Sequence, residues 1–350
     1  MTRVTYRTAG SAALVLAASL PLFARPLDAQ SDAERLLRTV ADASKDDLEA
    51  LRAGIPFVRT VRGDDRSQLT LVYAVRVSAP VQFVFDQARL HHLLVDDAEG
   101  HHARGVFADP PTGGDLAALT LDRRDIRDLE RCRRSDCGLK LSGETIDRLQ
   151  REVDWSARDA KDEANRFFRR ELLASLVGYS AGGAAASLVY ADKAVPLAVA
   201  DGFDALLEDA EYLRELDPEF HRYLGAFPDV VSPDIDDAFT WTVEDLGVKS
   251  VVSLNHIVSK SRGASGSALI GIKRVYANHY FQAGLRILVL SPASGDPTGA
   301  DTYVTVISRL QFDGELGGIR RTAIERRLEM NAERVLAQVR DQLESRYAQQ

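Results

Sequence analysis

From Gln68 to Val77 the chain reads "QLTLVYAVRV", with Leu69, Leu71, Tyr73, Val75 and Val77 alternating against polar or small neighbours. A period of two is the signature of a strand with one buried face. Ala79-Pro80 ends it, and "PVQFVFDQARLHHLL" opens a helix with proline in its first turn. Upstream, "SDAERLLRTVADASKDDLEALRA" (31–53) reads as one or two short helices, capped by Ser31 and closed before Gly54. The middle, residues 110–235, is mostly helical by pattern: "DRRDIRDLERC", "SGETIDRLQREVDW" and "SARDAKDEANRFFRRELLASLV" carry apolar residues at helical spacing behind Asp or Ser. Residues 172–191 are uncharged, but Gly178, Gly182, Gly183 and many alanines suit a buried helix pair better than a membrane span.

The last third changes period. Residues 248–261, 267–292 and 301–312 are β-rich and separated by Gly, Ser, Pro and Asp turns, which favours antiparallel pairing. The stretch 267–292 is too long for one strand and is expected to break near Ala277-Asn278. After Gly317-Gly318 comes a long helix on which Ile324, Leu328, Ala332, Val335, Leu336, Val339 and Leu343 form one apolar stripe. That stripe needs an apolar surface, and the preceding sheet is the nearest. The predicted class is therefore α+β: an antiparallel sheet packed on a long C-terminal helix, with a large helical middle region at 110–235 and the sheet plus terminal helix at 240–350.

Two stretches, "VRVSAPVQFVF" and "YVTVISRLQFDGELGGIRRTAIERRLE", give the chain a partial resemblance to the START-like (helix-grip) superfamily, over residues 68–92 and 248–348. The resemblance implies a curved sheet around a terminal helix, enclosing a cavity for a lipid, a sterol or another apolar small molecule.

The amino terminus changes the expected compartment. Arg3 and Arg7 precede an uncharged apolar run from Ala12 to Phe23, and Leu27-Asp28-Ala29 leads into polar sequence, the layout of a cleaved secretory signal ending at residue 29. Export, to a periplasm or outside the cell, follows, with residues 30–350 as one large domain and no stable membrane span after cleavage. Cleavage removes Arg3, Arg7, Arg25 and Asp28, and so moves the formal charge from −8 to −10. An acidic chain with interspersed charges lacks the Lys/Arg clusters that nucleic acid requires, so no nucleic-acid partner is expected. Cys132 and Cys137 are the only cysteines, and their spacing fits neither a redox C-x-x-C nor haem attachment. In an oxidising compartment they should close a small structural loop, contributing roughly 2 kcal/mol.

Candidate chemistry is sparse. Val252, Leu254, His256 and Val258 share one strand face, and His279, Phe281, Ala283, Leu285, Ile287 and Val289 another, so both histidines point toward core. With Tyr276, Tyr280 and Arg309 they form the candidate ligand set, a few polar groups among apolar ones. Arg309 or Arg320 is the candidate partner for a ligand's acidic group. The carboxylates Asp115, Asp122, Asp125, Asp128 and Glu130 interleave with arginines as on a solvated helix face. His91, His92, His101 and His102 are the weak metal candidates, matching no H-E-x-x-H geometry. No nucleophile elbow or nucleotide loop is present, and no cofactor is expected. The leading expectation is non-catalytic binding of an apolar small molecule or lipid; a metal-assisted hydrolase and an envelope interaction module are the alternatives.

Overall fold

The computed structural model describes residues 31–349, except residues 64, 92–100, 246–248, 264–265, 295, 297–298 and 316. The signal-like segment and His92 lie outside the described residues, as do the side chains of His91, His101, His102 and Arg320.

Two short helices, α1 (Asp32–Ala41) and α2 (Lys45–Arg52), lead into β1 (Phe57–Val61) and β2 (Gln68–Val77). Local chemistry sets their ends. The Ser31 side chain accepts from the Glu34 amide, Ser44 and Asp47 form a reciprocal capping box, and Gly54 turns the chain at φ +87°. Helix α3 (Val81–His91) and strand β3 (His101–Val106) follow. The helical middle comprises α4 (Arg123–Arg131), α5 (Gly143–Glu152) and α6 (Ala160–Gly182), a two-residue ribbon β4 (Val189–Tyr190) with β5 (Leu197–Ala198), and then α7 (Val199–Glu208), α8 (Glu211–Leu216) and α9 (Pro218–Ala226). Strands β6 (Ile235–Asp245), β7 (Ser250–Arg262), β8 (Ser267–Ala277), β9 (Phe281–Pro292) and β10 (Thr302–Phe312) precede α10 (Gly318–Tyr347).

Eight strands form one antiparallel sheet in the order β1-β2-β10-β9-β8-β7-β6-β3. Both faces are covered. On the inner face, β2 supplies Leu69, Leu71, Tyr73, Val75 and Val77, and these pack with Val84, Phe85 and Ala88 of α3 and the stripe of α10. The alternation read from sequence is thus the inner face of β2, and the whole predicted stripe of α10 is in contact with this core. Helix α10 lies chiefly on β1, β2 and α3. On the outer face, α1, α2 and α7–α9 pack on Val72, Val258, Leu269, Leu285, Ile287 and Ile307. Helices α4–α6 cover the outer face further along, on Trp241, Val252, Leu254 and Tyr276. Residues 172–191 contribute the end of α6 and then leave the helix; among the described residues no helix is long and apolar enough to cross a membrane.

Two strand readings need correction. His279 sits in the β8–β9 turn rather than on a strand, and Phe281 packs in the inner core while Ala283, Leu285, Ile287 and Val289 face outward. The cause is a register irregularity: Gln311 pairs with Ala283 but Phe312 pairs with Phe281, so Gln282 is an extra residue that reverses the alternation.

The terminal helix's stripe should carry much of the inner core's stability. Leu336 is 2% exposed and Met330, on the same helix, 55%. Leu336→Ala should cost about 2–5 kcal/mol, whereas Met330→Ala should stay within about 0.5 kcal/mol; urea denaturation followed by circular dichroism measures both.

Candidate functional site

The inner face is apolar along β2 and at the ends of β8 to β10, but a polar strip crosses it. Register places Thr242 opposite Ser253, Thr240 opposite Asn255, Asn255 opposite Arg274, and Arg286 opposite Ser308. All of these are buried, as is Glu244. Arg274 Nη2 donates to both carboxylate oxygens of Glu244, at 2.8 and 3.0 Å, and its guanidinium lies 4.6 Å from the centre of the Phe281 ring. Thr242 Oγ1 donates to Glu244 Oε1 at 3.2 Å, and Asn255 Nδ2 reaches Thr242 Oγ1 at 3.4 Å. The hydroxyls of Thr240 and Ser253 are buried with no hydrogen-bond partner among the described residues. Arg274, Arg286, Asn255, Thr242, Glu244 and Ser308, with Ile272 and Leu310, bound a cavity of about 20 Å³. That is room for one water. The strip carries two guanidinium groups, that of Arg274 held by Glu244, with a carboxylate, an amide and several hydroxyls, a polar surface suited to water or a strongly polar group.

His256 points the other way, to the outer face, and is completely buried. Its Nδ1 lies 3.1 Å from the Tyr179 hydroxyl of α6, and Nε2 lies 3.9 Å from Asp237 Oδ2. The first is a hydrogen bond; the second is too long for one and acts electrostatically. With the Tyr179 hydroxyl donating to Nδ1, the ring proton is on Nε2 and faces the carboxylate. Tyr223 donates to the same Asp237 oxygen. Phe227 and Phe239 complete an aromatic box, with ring centres 4.3 and 4.8 Å from the imidazole. Gly183 allows it: a Cβ there would stand 1.9 Å from the Phe227 carbonyl oxygen, at a φ of +54°. Burial lowers the His256 pKa below its ordinary value, with Asp237 acting against the shift.

His279 belongs to a third cluster. Its Nε2 lies 2.8 Å from Asp125 Oδ1, Asn278 donates to Asp125 Oδ2 at 3.0 Å, and the Asn278 side chain accepts from the Val252 amide. Asp125 is 2% exposed, which corrects the reading of that carboxylate as part of a solvated face. Its position in the first turn of α4, capped by Asp122, aims it at the β8–β9 turn. Nearby, Lys140 pairs with Asp313 at 2.7 Å, and Tyr276 donates to the Lys140 carbonyl. Cys132 and Cys137 are disulfide-bonded beside this network, where Ser135 and Cys137 amides donate to the carbonyls of Ala191 and Asp192.

The sequence-based ligand set is therefore divided. His256 lies in the aromatic box, and His279 and Tyr276 in the Asp125 network. Tyr280, at φ +58°, packs against the inner core. Arg309 faces outward and binds the carbonyl and carboxylate of Asp209 at the end of α7, beside an open groove of about 650 Å³. Among the described residues, no group of three His, Cys, Asp or Glu side chains could hold a metal. The strip on the inner face went unassigned, although the adjacent Lys273-Arg274 in the apolar run "SALIGIKRVYA" signalled buried charge.

No protein-family model and no curated protein sequence matches this chain.

Because the folded-state pKa of His256 is depressed, the unfolded chain binds more protons as pH falls below the ordinary value of 6.5, and stability drops. The urea midpoint should fall between pH 7 and pH 5, and His256→Gln should make that fall shallower. Equal slopes in the two proteins would show that His256 does not control it.

Proposed function

We propose that this chain is an exported, non-catalytic binding or carrier protein of the START-like type, and that it takes a small amphipathic molecule with an anionic end. The observation that carries the reading is the buried polar strip on the inner face, with the Thr240 and Ser253 hydroxyls left without partners. Unpaired buried polar atoms cost about 1–3 kcal/mol each, and a polar guest or ordered water removes that cost. The cross-strand neighbours of these hydroxyls, Asn255 and Thr242, line the small cavity together with Arg286 and the Glu244-paired Arg274, while Ile272, Leu310, Phe281 and Phe312 supply apolar wall. The large antiparallel sheet with a terminal helix on its inner face supports the helix-grip comparison, and the closed disulfide suits an oxidising compartment.

The proposed contacts are therefore Thr240, Ser253, Asn255, Arg274 and Arg286, on the face opposite to His256. A cavity of about 20 Å³ holds one water, whose place a single head-group oxygen takes. The apolar remainder of the molecule takes the place of side chains between the sheet and its inner helices, so binding requires α3 or α10 to move outward.

Dodecanoate and dodecanol separate the two halves of this reading, because they share a tail and differ in head charge. In calorimetric titration the carboxylate should bind saturably, and Arg286→Met should weaken it about tenfold, the loss of one charge-assisted hydrogen bond. Dodecanol should bind more weakly than dodecanoate to the wild type. Failure of both probes, or an affinity for dodecanoate that Arg286→Met leaves unchanged, would overturn the proposal.

A further inference from the structure

Seven lysines occur in the sequence, and six either pair with a carboxylate, as does the buried Lys140, or are exposed. Lys140 and Lys193 pair with Asp313, Lys249 with Asp128, and Lys260 with Asp217 and Glu219. Lys45 and Lys161 are exposed. Lys273 is different. It is 3% exposed, on the outer face of β8 directly opposite His256, and among the described residues no carboxylate lies within 4 Å of its amine. The amine sits instead 3.6 Å from the centre of the Phe203 ring and 5.2 Å from that of Tyr179.

We propose that Lys273 is a covalent capture site for a small uncharged aldehyde, which its amine binds as an imine among the rings of Phe203, Tyr179 and His256 that pack around it. The chemistry is balanced without a further reactant. The neutral amine attacks the carbonyl carbon and forms the C–N bond; the nitrogen loses its protons, the carbonyl oxygen gains them, and one water leaves as the C=N bond forms. Burial makes the neutral amine accessible near neutral pH, because it lowers the Lys273 pKa to about 8, with Asp204 opposing the shift. At pH 8 about half of such an amine is neutral, against about 0.4% for an exposed lysine of pKa ~10.4. The aromatic walls select a small apolar body. Asp204 and Asp237, the carboxylates that act on this region, disfavour an anionic one. The site is on the opposite sheet face from the polar strip, so it stands or falls independently of the carrier reading.

Propanal with cyanoborohydride tests it, since reduction fixes the imine and peptide mass spectrometry assigns the lysine. With the full chain at pH 8 and limiting propanal, Lys273 should be alkylated at least tenfold faster than Lys45 and Lys161. Its rate should rise with pH and level off above pH 8 to 9, while theirs continue to rise. Phe203→Leu should alter the rate at Lys273 and leave Lys45 and Lys161 unchanged. Alkylation of Lys45 and Lys161 first, or a Lys273 rate without the early plateau, would show that the buried amine is only a packed stem and would overturn the proposal.

Discussion

Burial of both sheet faces is the constraint on which the rest of this structure depends. An antiparallel sheet commonly leaves one face to water; here helices cover the inner and the outer face alike, and β8 is buried at each of its eleven positions. A polar residue in a central strand therefore has no solvent-facing side to occupy. It must find a partner in the protein, shift its protonation, or wait for something from outside. Lys273 and Arg274 illustrate the consequence. As neighbours on a strand they point to opposite faces, and each is buried all the same. One ends against aromatic rings, the other on Glu244.

The same constraint explains what the sequence disclosed. Helix boundaries were legible because capping is local: Ser31, Ser44, Asp122 and Ser142 each accept an amide within three residues. The stripe of α10 was legible because that helix keeps a solvated back. Strand β6 was not assigned, since its inner positions are Asp236, Ala238, Thr240, Thr242 and Glu244, and polar residues there, with Asp237 on the other face, obscure the alternation of Ile235, Phe239, Trp241 and Val243. β1 and β3 are short and edge-placed, with arginines and glycine among few apolar residues. The extra residue at Gln282 left no signal at all, and it alone reversed the expected face of Phe281.

Site residues were legible by type and illegible by partner. His256 and His279 stood out as histidines among apolar neighbours, and each is buried. What each does depends on residues far along the chain: Tyr179 for one, Asp125 for the other, 77 and 154 positions away. Asp125 was hidden by its company, since alternating Arg and Asp on a short helix resembles a solvated face. The structure buries one position of that pattern and exposes most others. The disulfide closes a short loop at the end of α4, whose Ser135 and Cys137 amides reach the carbonyls of Ala191 and Asp192.

The degree of satisfaction distinguishes the two polar regions that a list of buried charges would treat alike. Around Asp125 both carboxylate oxygens are met, the Asn278 amide gives and receives, and backbone groups close the remaining positions. Such a network fixes one element on another and leaves nothing over. On the inner face the Glu244–Arg274 pair is well made, yet the hydroxyls beside it are not answered. Replacing a buried ion pair with apolar residues of similar volume is often neutral or stabilising, so folding stability alone gives little reason to keep charges in the middle of an apolar face. Incomplete satisfaction a strand position away from a small cavity is the observation on which the proposed guest rests, since a water or a polar group bound there would supply the partner these hydroxyls lack.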